Sequence, residues 1–288
     1  MIVNPLGIHA GVWGFDWSPD AADRAIRDAA EVGFDLIEVP AIDRTELEAA
    51  DTRRALERHG IAATVSLALS FADDISDEDP DRRARGEHRL TEAVLFAEEI
   101  GATFVGGVVF SAMGRYLRLP TDAARERSLA VLRRVTAEAA TRGIAIGVEY
   151  VNRYESNLLN TSAATRRFVD DLGAENAVVH LDTFHAAMEE TSLADAVAAA
   201  GERLGYIHAS ESHRGPLGTG SIDWSRFAAD LATADYRGPI TVESFAGSIV
   251  GEASAIDIAL WRPQWSDPRA LAAASLDLLR GHLSAVPI

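Results

Sequence analysis

The sequence contains no cysteine, which excludes disulfides and thiolate metal sites and fits a protein of the reducing cytoplasm. It also lacks a long apolar run: no stretch approaches the roughly 18 residues that a membrane-spanning helix needs. The start, Met1-Ile-Val-Asn-Pro, has no basic segment followed by an apolar one, so it does not read as a signal peptide. Basic residues are scarce, 27 Lys and Arg against 44 Asp and Glu, giving a net charge of −17. A nucleic-acid or anionic-membrane partner needs a basic surface, so neither is expected; the charge itself reads as solubility. No G-x-G-x-x-G or Walker-type loop follows an early strand, which argues against a doubly wound nucleotide-binding sheet.

What is present is a regular alternation. Short apolar, β-branched runs occur at Leu6–Trp13, Phe34–Ala41, Ala63–Ser70, Phe104–Phe110, Ala145–Val151, Ala177–Phe184, Leu204–Ser210 and Pro239–Phe245. Between them lie segments with apolar residues at helical spacing: Pro19–Val32, Leu47–His59, Glu87–Ile100, Ala123–Thr141, Ser162–Leu172, Leu193–Ala200, Trp224–Ala234 and Pro268–Leu283. Strands alternating with helices make a parallel sheet. Eight such units in 288 residues predict an α/β fold, a single (β/α)8 TIM barrel over residues 1–288, with a core large enough to need no disulfide or structural metal. Gly33, Gly60, Gly101, Gly143, Gly173 and Gly238 stand where left-handed helix caps are expected. The acidic stretch Asp73–Asp81 reads as an exposed loop.

Reacting groups in such barrels sit where strands run into the following loops. Strands five to eight each place a metal-competent side chain there: Glu149, Asp182, His208 and Glu243. Side chains alternate across a strand, so Gly147 shares a face with Glu149, His180 with Asp182, Tyr206 with His208 and Thr241 with Glu243. One inward carboxylate or one strand histidine alone reads as a core ion pair or packed hydrogen-bonding group. Four in consecutive strands, with no Lys or Arg beside them on those strands, would repel unless a divalent cation joined them. Three oxygens and one imidazole suit Mn2+, Co2+ or Mg2+ better than zinc with sulfur. Around this set, Glu155, His185, Glu211 and Arg214 open loops. His185 and Arg214 could reach a substrate oxygen; an Arg214–Glu211 ion pair is the alternative. His9, Trp13, Glu38, Phe110 and Met113 are expected near the mouth, with Glu38 and His180 as interior hydrogen-bonding residues.

The runs Glu149-Tyr-Val-Asn-Arg-Tyr-Glu-Ser-Asn-Leu-Leu-Asn-Thr, Leu181-Asp-Thr-Phe-His-Ala-Ala-Met-Glu-Glu, His208-Ala-Ser-Glu-Ser-His-Arg-Gly and Val242-Glu-Ser-Phe together resemble the ketose 3-epimerases. That family comprises the D-tagatose, D-allulose (D-psicose) and L-ribulose 3-epimerases of the xylose-isomerase-like barrels. The resemblance spans the chain, with Gly7-Ile-His-Ala-Gly-Val-Trp closest to the L-ribulose/D-allulose branch. It implies an isomerase, a metal-dependent epimerase that inverts C3 of a free ketose. The implied ligands of Mn2+ or Co2+ are Glu149, Asp182, His208 and Glu243, and the two glutamates are the implied acid–base pair. Glu155, His185 and Arg214 are the implied substrate contacts, with His9 and Met113 at the pocket, and a homodimer or homotetramer is implied. Ala186-Ala187-Met188 and Ala209-Ser210 depart from the family's usual pairs. Other readings are an aldose–ketose isomerase of the hydroxypyruvate isomerase type, a DNA-repair endonuclease (which −17 net charge disfavours) and a non-catalytic sugar-binding barrel.

Overall fold

In the computed structural model, which describes residues 4–41 and 48–285, eight parallel strands close into a barrel in chain order. The strands are β1 (Leu6–His9), β2 (Leu36–Pro40), β3 (Ala62–Leu69), β4 (Phe104–Ala112), β5 (Ala145–Glu149), β6 (Ala177–Asp182), β7 (Leu204–Ala209) and β8 (Ile240–Val242). β1 pairs with both β2 and β8, so no edge is left open. The helices are α1 (Pro19–Val32), α2 (Ala49–His59), α3 (Pro80–Ile100), α4 (Asp122–Ala140), α5 (Ser162–Leu172), α6 (Thr183–Glu189), α7 (Leu193–Ala200), α8 (Trp224–Thr233), α9 (Gly247–Val250), α10 (Glu252–Asp257) and α11 (Pro268–Ser284). The expected start of the second helix, Leu47, lies outside the described residues.

The differences from expectation have local causes. The first strand stops at His9 rather than Trp13, because the His9 side chain accepts the Gly11 N–H and caps a 3-10 turn over Ala10–Val12. The sixth stops at Asp182, whose carboxylate accepts N–H bonds from Phe184 and His185 and starts α6, a helix the sequence reading did not separate. The third helix begins at Pro80, seven residues before expectation, because Asp79 accepts the Asp81 N–H and Pro80 suits the first helical position. The acidic stretch is therefore loop only as far as Asp79, and it is not exposed throughout, since Asp73 and Asp74 are buried. Gly33, Gly60, Gly101 and Gly173 close helices in the left-handed conformation, whereas Gly238 does not adopt it.

The barrel floor decides where a ligand can sit. Phe104 stacks on Tyr206 with centroids 4.1 Å apart, and the Tyr206 hydroxyl is shared with Thr64 (2.8 Å) and Thr241 (2.6 Å). A Cβ at Gly147 would lie 2.3 Å from the Phe104 ring, so only glycine lets that layer close. The floor fills the lower barrel, and the polar groups are left at its C-terminal end.

Candidate active site and metal centre

Four consecutive strand ends bring their polar side chains together. Glu149 ends β5 and Asp182 ends β6; His208 is the penultimate residue of β7, and Glu243 follows β8 directly, its N–H donated to the Ala209 carbonyl at 3.0 Å. All four are buried. The sheet register sets Asp182 opposite His208 but places His180 opposite Glu149 and Thr241 opposite His208. The tilt of barrel strands absorbs these offsets. His208 Nδ1 thus lies 3.1 Å from Glu149, 3.5 Å from Glu243 and 3.8 Å from Asp182.

The residues fit a divalent cation on two observations. Candidate ligand atoms of Asp182, His208 and Glu243 all lie within 4.8 Å of one another, and Glu149 forms a second such group with Asp182 and His185. Asp182 Oδ2 is buried and has no hydrogen-bond partner, while its Oδ1 is engaged by α6. An orphaned carboxylate oxygen in a dry site is costly unless a cation takes it. Burial pushes Asp182 up to about 6, with Glu243 adding to the rise against His185, Arg214 and His208. Burial also raises Glu149 and Glu243, in each case against the opposing pull of His208. A cation at the centre would reverse those shifts.

The orientation of His208 comes from Glu38, expected from the sequence as an interior hydrogen-bonding residue but without a partner named. Glu38, on β2 and fully buried, receives His208 Nε2 on both carboxylate oxygens, at 2.9 and 3.0 Å. Burial would raise Glu38, but the His208 charge and hydrogen bond outweigh it and hold the carboxyl far below its ordinary range. Burial would lower His208; Glu38, Glu243 and Glu149 outweigh it and raise the imidazole well above its usual value. With Nε2–H committed to Glu38, Nδ1 is the nitrogen available to a metal. His180, expected to be hydrogen-bonded, instead packs its ring 4.2 Å from that of His208, and neither of its nitrogens has a partner.

A permanent cation does stand at the site, delivered by a loop and not by a strand. Arg214 is buried; Nη1 donates to Glu243 at 3.0 Å, and Nη2 lies 3.4 Å from Glu155 and 3.2 Å from His185 Nε2. The Arg214–Glu211 alternative is not what forms. Glu211 accepts N–H bonds from Ser212, Gly218 and Ile222 and from the Trp224 indole, and so organises its own loop. His185 is held by Asn152, whose backbone N–H points at Nδ1 from 3.2 Å and whose side chain bridges to Glu155 at 2.8 Å. Arg214 Nη2, which can only donate, faces Nε2 from the other side, so both ring nitrogens have a donor against them. Burial keeps that ring neutral, its pKa lowered to about 3. Asn152, absent from the expected site, is local in sequence and only its β5–α5 position hinted at a role.

Glu149, His185, His208, Arg214 and Glu243 line one end of a cavity of about 150 Å3, whereas Asp182 and Glu155 are not on its wall. His9 and Met113 line it as well, as do Phe15, Pro40, Ser66, Leu67, Ala68, Gly107, Val108, Phe245 and Ile258; Trp13, Glu38 and Phe110 do not. One end is therefore charged and the other largely apolar. His9 lies edge-on to Phe245 (5.3 Å) and faces Ser66 Oγ at 3.2 Å, and burial lowers its pKa to about 4.

Residues 26–282 match the family model described as xylose isomerase-like TIM barrel. The chain is 41% identical to an L-ribulose 3-epimerase of Methylomonas sp. (strain DH-1), over 95% of this chain and 96% of the relative. It is 37% identical to a ketose 3-epimerase of Arthrobacter globiformis, over 98% and 97% of the two chains. A crystal structure of a D-allulose 3-epimerase from Methylomonas sp. in complex with D-allulose superposes with a TM-score of 0.95 at 40% identity, covering 97% of each chain.

Proposed function

The chain belongs to the xylose isomerase-like TIM barrel family, and with ketose 3-epimerases as its relatives we propose that it is a metal-dependent ketose 3-epimerase whose acid–base pair is Glu149 and Glu243. The observation that carries the reading is the convergence of three carboxylates on His208 Nδ1 around the partnerless Asp182 Oδ2, at the charged end of a sugar-sized cavity. Glu149, Asp182, His208 and Glu243 would hold the cation. When bound, the cation supplies Lewis-acid polarisation of the C2 carbonyl and stabilises the negative charge that develops as the C3 proton leaves.

The chain's own groups do the rest. Inversion at C3 needs a proton removed on one face and another returned on the opposite face, which two carboxylates on separate strands can do. Glu149 stands on β5 and Glu243 after β8, at 3.1 and 3.5 Å from His208 Nδ1. They must begin in opposite protonation states, and Arg214 Nη1 at 3.0 Å favours the ionised form of Glu243. The order of the two reverses with the configuration of the sugar. His185 Nε2 and Arg214 Nη2 lie 3.2 Å apart, with Glu155 within 4.0 Å of both, and would together orient the substrate oxygens next to C2. His9 and Met113 are placed at the cavity wall to meet the rest of the sugar.

An L-ribulose- or D-allulose-type ketose is the proposed substrate, on the strength of the named relatives. The oxygen-rich donor set favours Mn2+, with Co2+ or Mg2+ as substitutes. The closure of β1 on β8 supports one domain over residues 1–288, and the absence of cysteine supports a cytoplasmic protein. Leu117 (93% exposed), Leu119 (85%) and Tyr154 (65%) stand on two adjacent loops joined by the Asn157–Arg118 hydrogen bond, which supports a second copy packing there as homodimer or homotetramer.

The test is incubation of the Mn2+ protein with L-ribulose, D-allulose, D-fructose and D-tagatose in D2O, with deuterium located by NMR. Label at C3 together with the 3-epimer is expected. Label at C1 or C2 with an aldose product would make the chain an aldose–ketose isomerase. Absence of exchange despite bound metal would leave a binding protein.

A further inference from the structure

Arg214 has a backbone that its neighbours must hold. Its φ is 58°, the left-handed region that non-glycine residues rarely adopt. Nothing in the guanidinium contacts explains why the main chain stays there. The carbonyl does: Arg214 O accepts from Ser244 Oγ at 2.9 Å and from the Phe245 N–H at 3.2 Å. Both donors follow Glu243, so the segment that carries the acid–base glutamate also anchors the arginine's backbone.

The Ser244 hydroxyl has one proton to give, and its direction is set from outside. Trp265 Nε1 donates to Ser244 Oγ at 2.9 Å, which occupies a lone pair and leaves the hydroxyl proton for Arg214 O. One residue away, Gln264 Nε2 donates to the carbonyl of His213 at 2.7 Å. The turn between α10 and α11 therefore grips the main chain on both sides of Arg214, directly at the His213 carbonyl and through Ser244 at its own. The same turn begins at Ile258, which lines the cavity.

We propose that Trp265, acting through the Ser244 hydroxyl and seconded by Gln264, is a positioning residue that holds Arg214 in its left-handed conformation and so aims the guanidinium at Glu243, Glu155 and His185. The consequence is that the segment which roofs the cavity at Ile258 and the device which orients the substrate-facing arginine are one structural unit. Trp265→Phe deletes the donor together with the five-membered part of the indole; Ser244→Ala deletes the relay and leaves the indole in place. This inference rests on the epimerase reading for its kinetic test and is independent of it for its structural one.

The kinetic test is a double-mutant cycle on kcat/KM for D-allulose with the Mn2+ protein. Trp265→Phe is expected to lose about tenfold in the wild-type background and almost nothing in the Arg214→Ala background, the non-additivity of residues in one network. A merely structural role would cost the same factor in both, and that result would overturn the proposal. The structural test is amide hydrogen exchange of the metal-loaded variants. Residues 211–217 should exchange faster in Trp265→Phe and in Ser244→Ala, while the peptides bearing Glu149 and Asp182 keep wild-type rates. Wild-type exchange at 211–217 in both variants would refute the clamp. Should the wild-type protein turn over no ketose, the functional reading falls and the exchange result alone decides this one.

Discussion

Glu38→Gln is the substitution that separates a metal-orienting carboxylate from a packed one. The side chain is fully buried, and both of its oxygens face His208 Nε2, at 2.9 and 3.0 Å. A carboxylate can only accept, so when a cation displaces the Nδ1 proton the remaining ring proton stays on Nε2 and the Nδ1 lone pair is left for the metal. Glutamine has the same size but offers an N–H2 group as well. It can donate to Nε2, which moves the ring proton to Nδ1 and fills the position a cation needs. Loss of such an outer partner costs about 10–100-fold in metal affinity, equivalent to about 1.4–2.8 kcal/mol. Calorimetric titration of Mn2+ into metal-free wild-type and Glu38→Gln protein measures it directly. Excess Mn2+ should restore most of the variant's turnover, because neither Glu149 nor Glu243 has been touched. An unchanged Mn2+ affinity, or a turnover deficit that saturating metal leaves in place, would show that Glu38 is packing alone.

Glu149→Gln and Glu243→Gln should each lower turnover by about 10²–10⁴-fold, measured at saturating Mn2+ with bound metal quantified; near-wild-type epimerisation in either would end the two-carboxylate mechanism. Asp182→Asn should abolish tight Mn2+ binding yet stabilise the metal-free protein. The folded-state pKa of Asp182, about 6, lies above its ordinary 3.8, so the buried charge costs stability in full above about pH 6 and nothing below about pH 4. Two pKa units correspond to at most about 3 kcal/mol, and thermal unfolding of metal-free wild type and variant should diverge as pH rises through that window; parallel curves would contradict it. Tyr116→Phe should cost about 1–3 kcal/mol in urea unfolding, because the Tyr116 hydroxyl donates to the fully buried Asp74 at 2.5 Å and accepts the Ala112 N–H at 3.1 Å. Unchanged stability would mean that water replaces the phenol.

The barrel was legible because its signal is repeated eight times: each strand ends where a polar or turn-forming residue interrupts an apolar run. The errors fall where a side chain captures the backbone early, as His9 and Asp182 do, since a cap of that kind depends on geometry that periodicity does not encode. The four strand-end acceptors were legible for a related reason, the two-residue alternation that decides which side chains face inward. Glu38 was not. It lies in β2, far along the chain from His208, and nothing local distinguishes a carboxylate that orients a distant imidazole from one that is simply satisfied. Asn152 was missed although it lies three residues from Glu149, because its partner His185 is thirty-three residues along the chain and only the fold brings the two together. The pairing of Arg214 was likewise open in the sequence. Glu211 is three residues away and Glu243 twenty-nine, and only the fold shows that the nearer carboxylate is already saturated by backbone donors.

The two halves of the barrel contribute different physics to one cavity. Strands β5 to β8 and the loops after β5 and β7 supply the titratable groups, and their cost in the metal-free protein is visible in the raised carboxylates and in the orphaned Asp182 oxygen. Strands β2 to β4 supply a mostly apolar wall: Pro40, Leu67, Ala68 and Val108, with Gly107 at φ 108°. A Cβ at Gly107 would lie 2.2 Å from the Leu67 carbonyl, so that wall can form only with glycine there. A sugar lying across such a cavity meets fixed charges at its reacting carbons and shape alone over much of the opposite wall. On the proposed mechanism, rate should depend on β5–β8 and tolerance of chain length on β2–β4. It follows that Ser66, the polar β3 side chain on the wall, held by His9 Nε2 at 3.2 Å, should alter the ranking of ketoses when changed to alanine while leaving Mn2+ affinity at its wild-type value. A Ser66→Ala enzyme that lost kcat/KM by the same factor for L-ribulose and D-allulose would show that the division of labour is wrong.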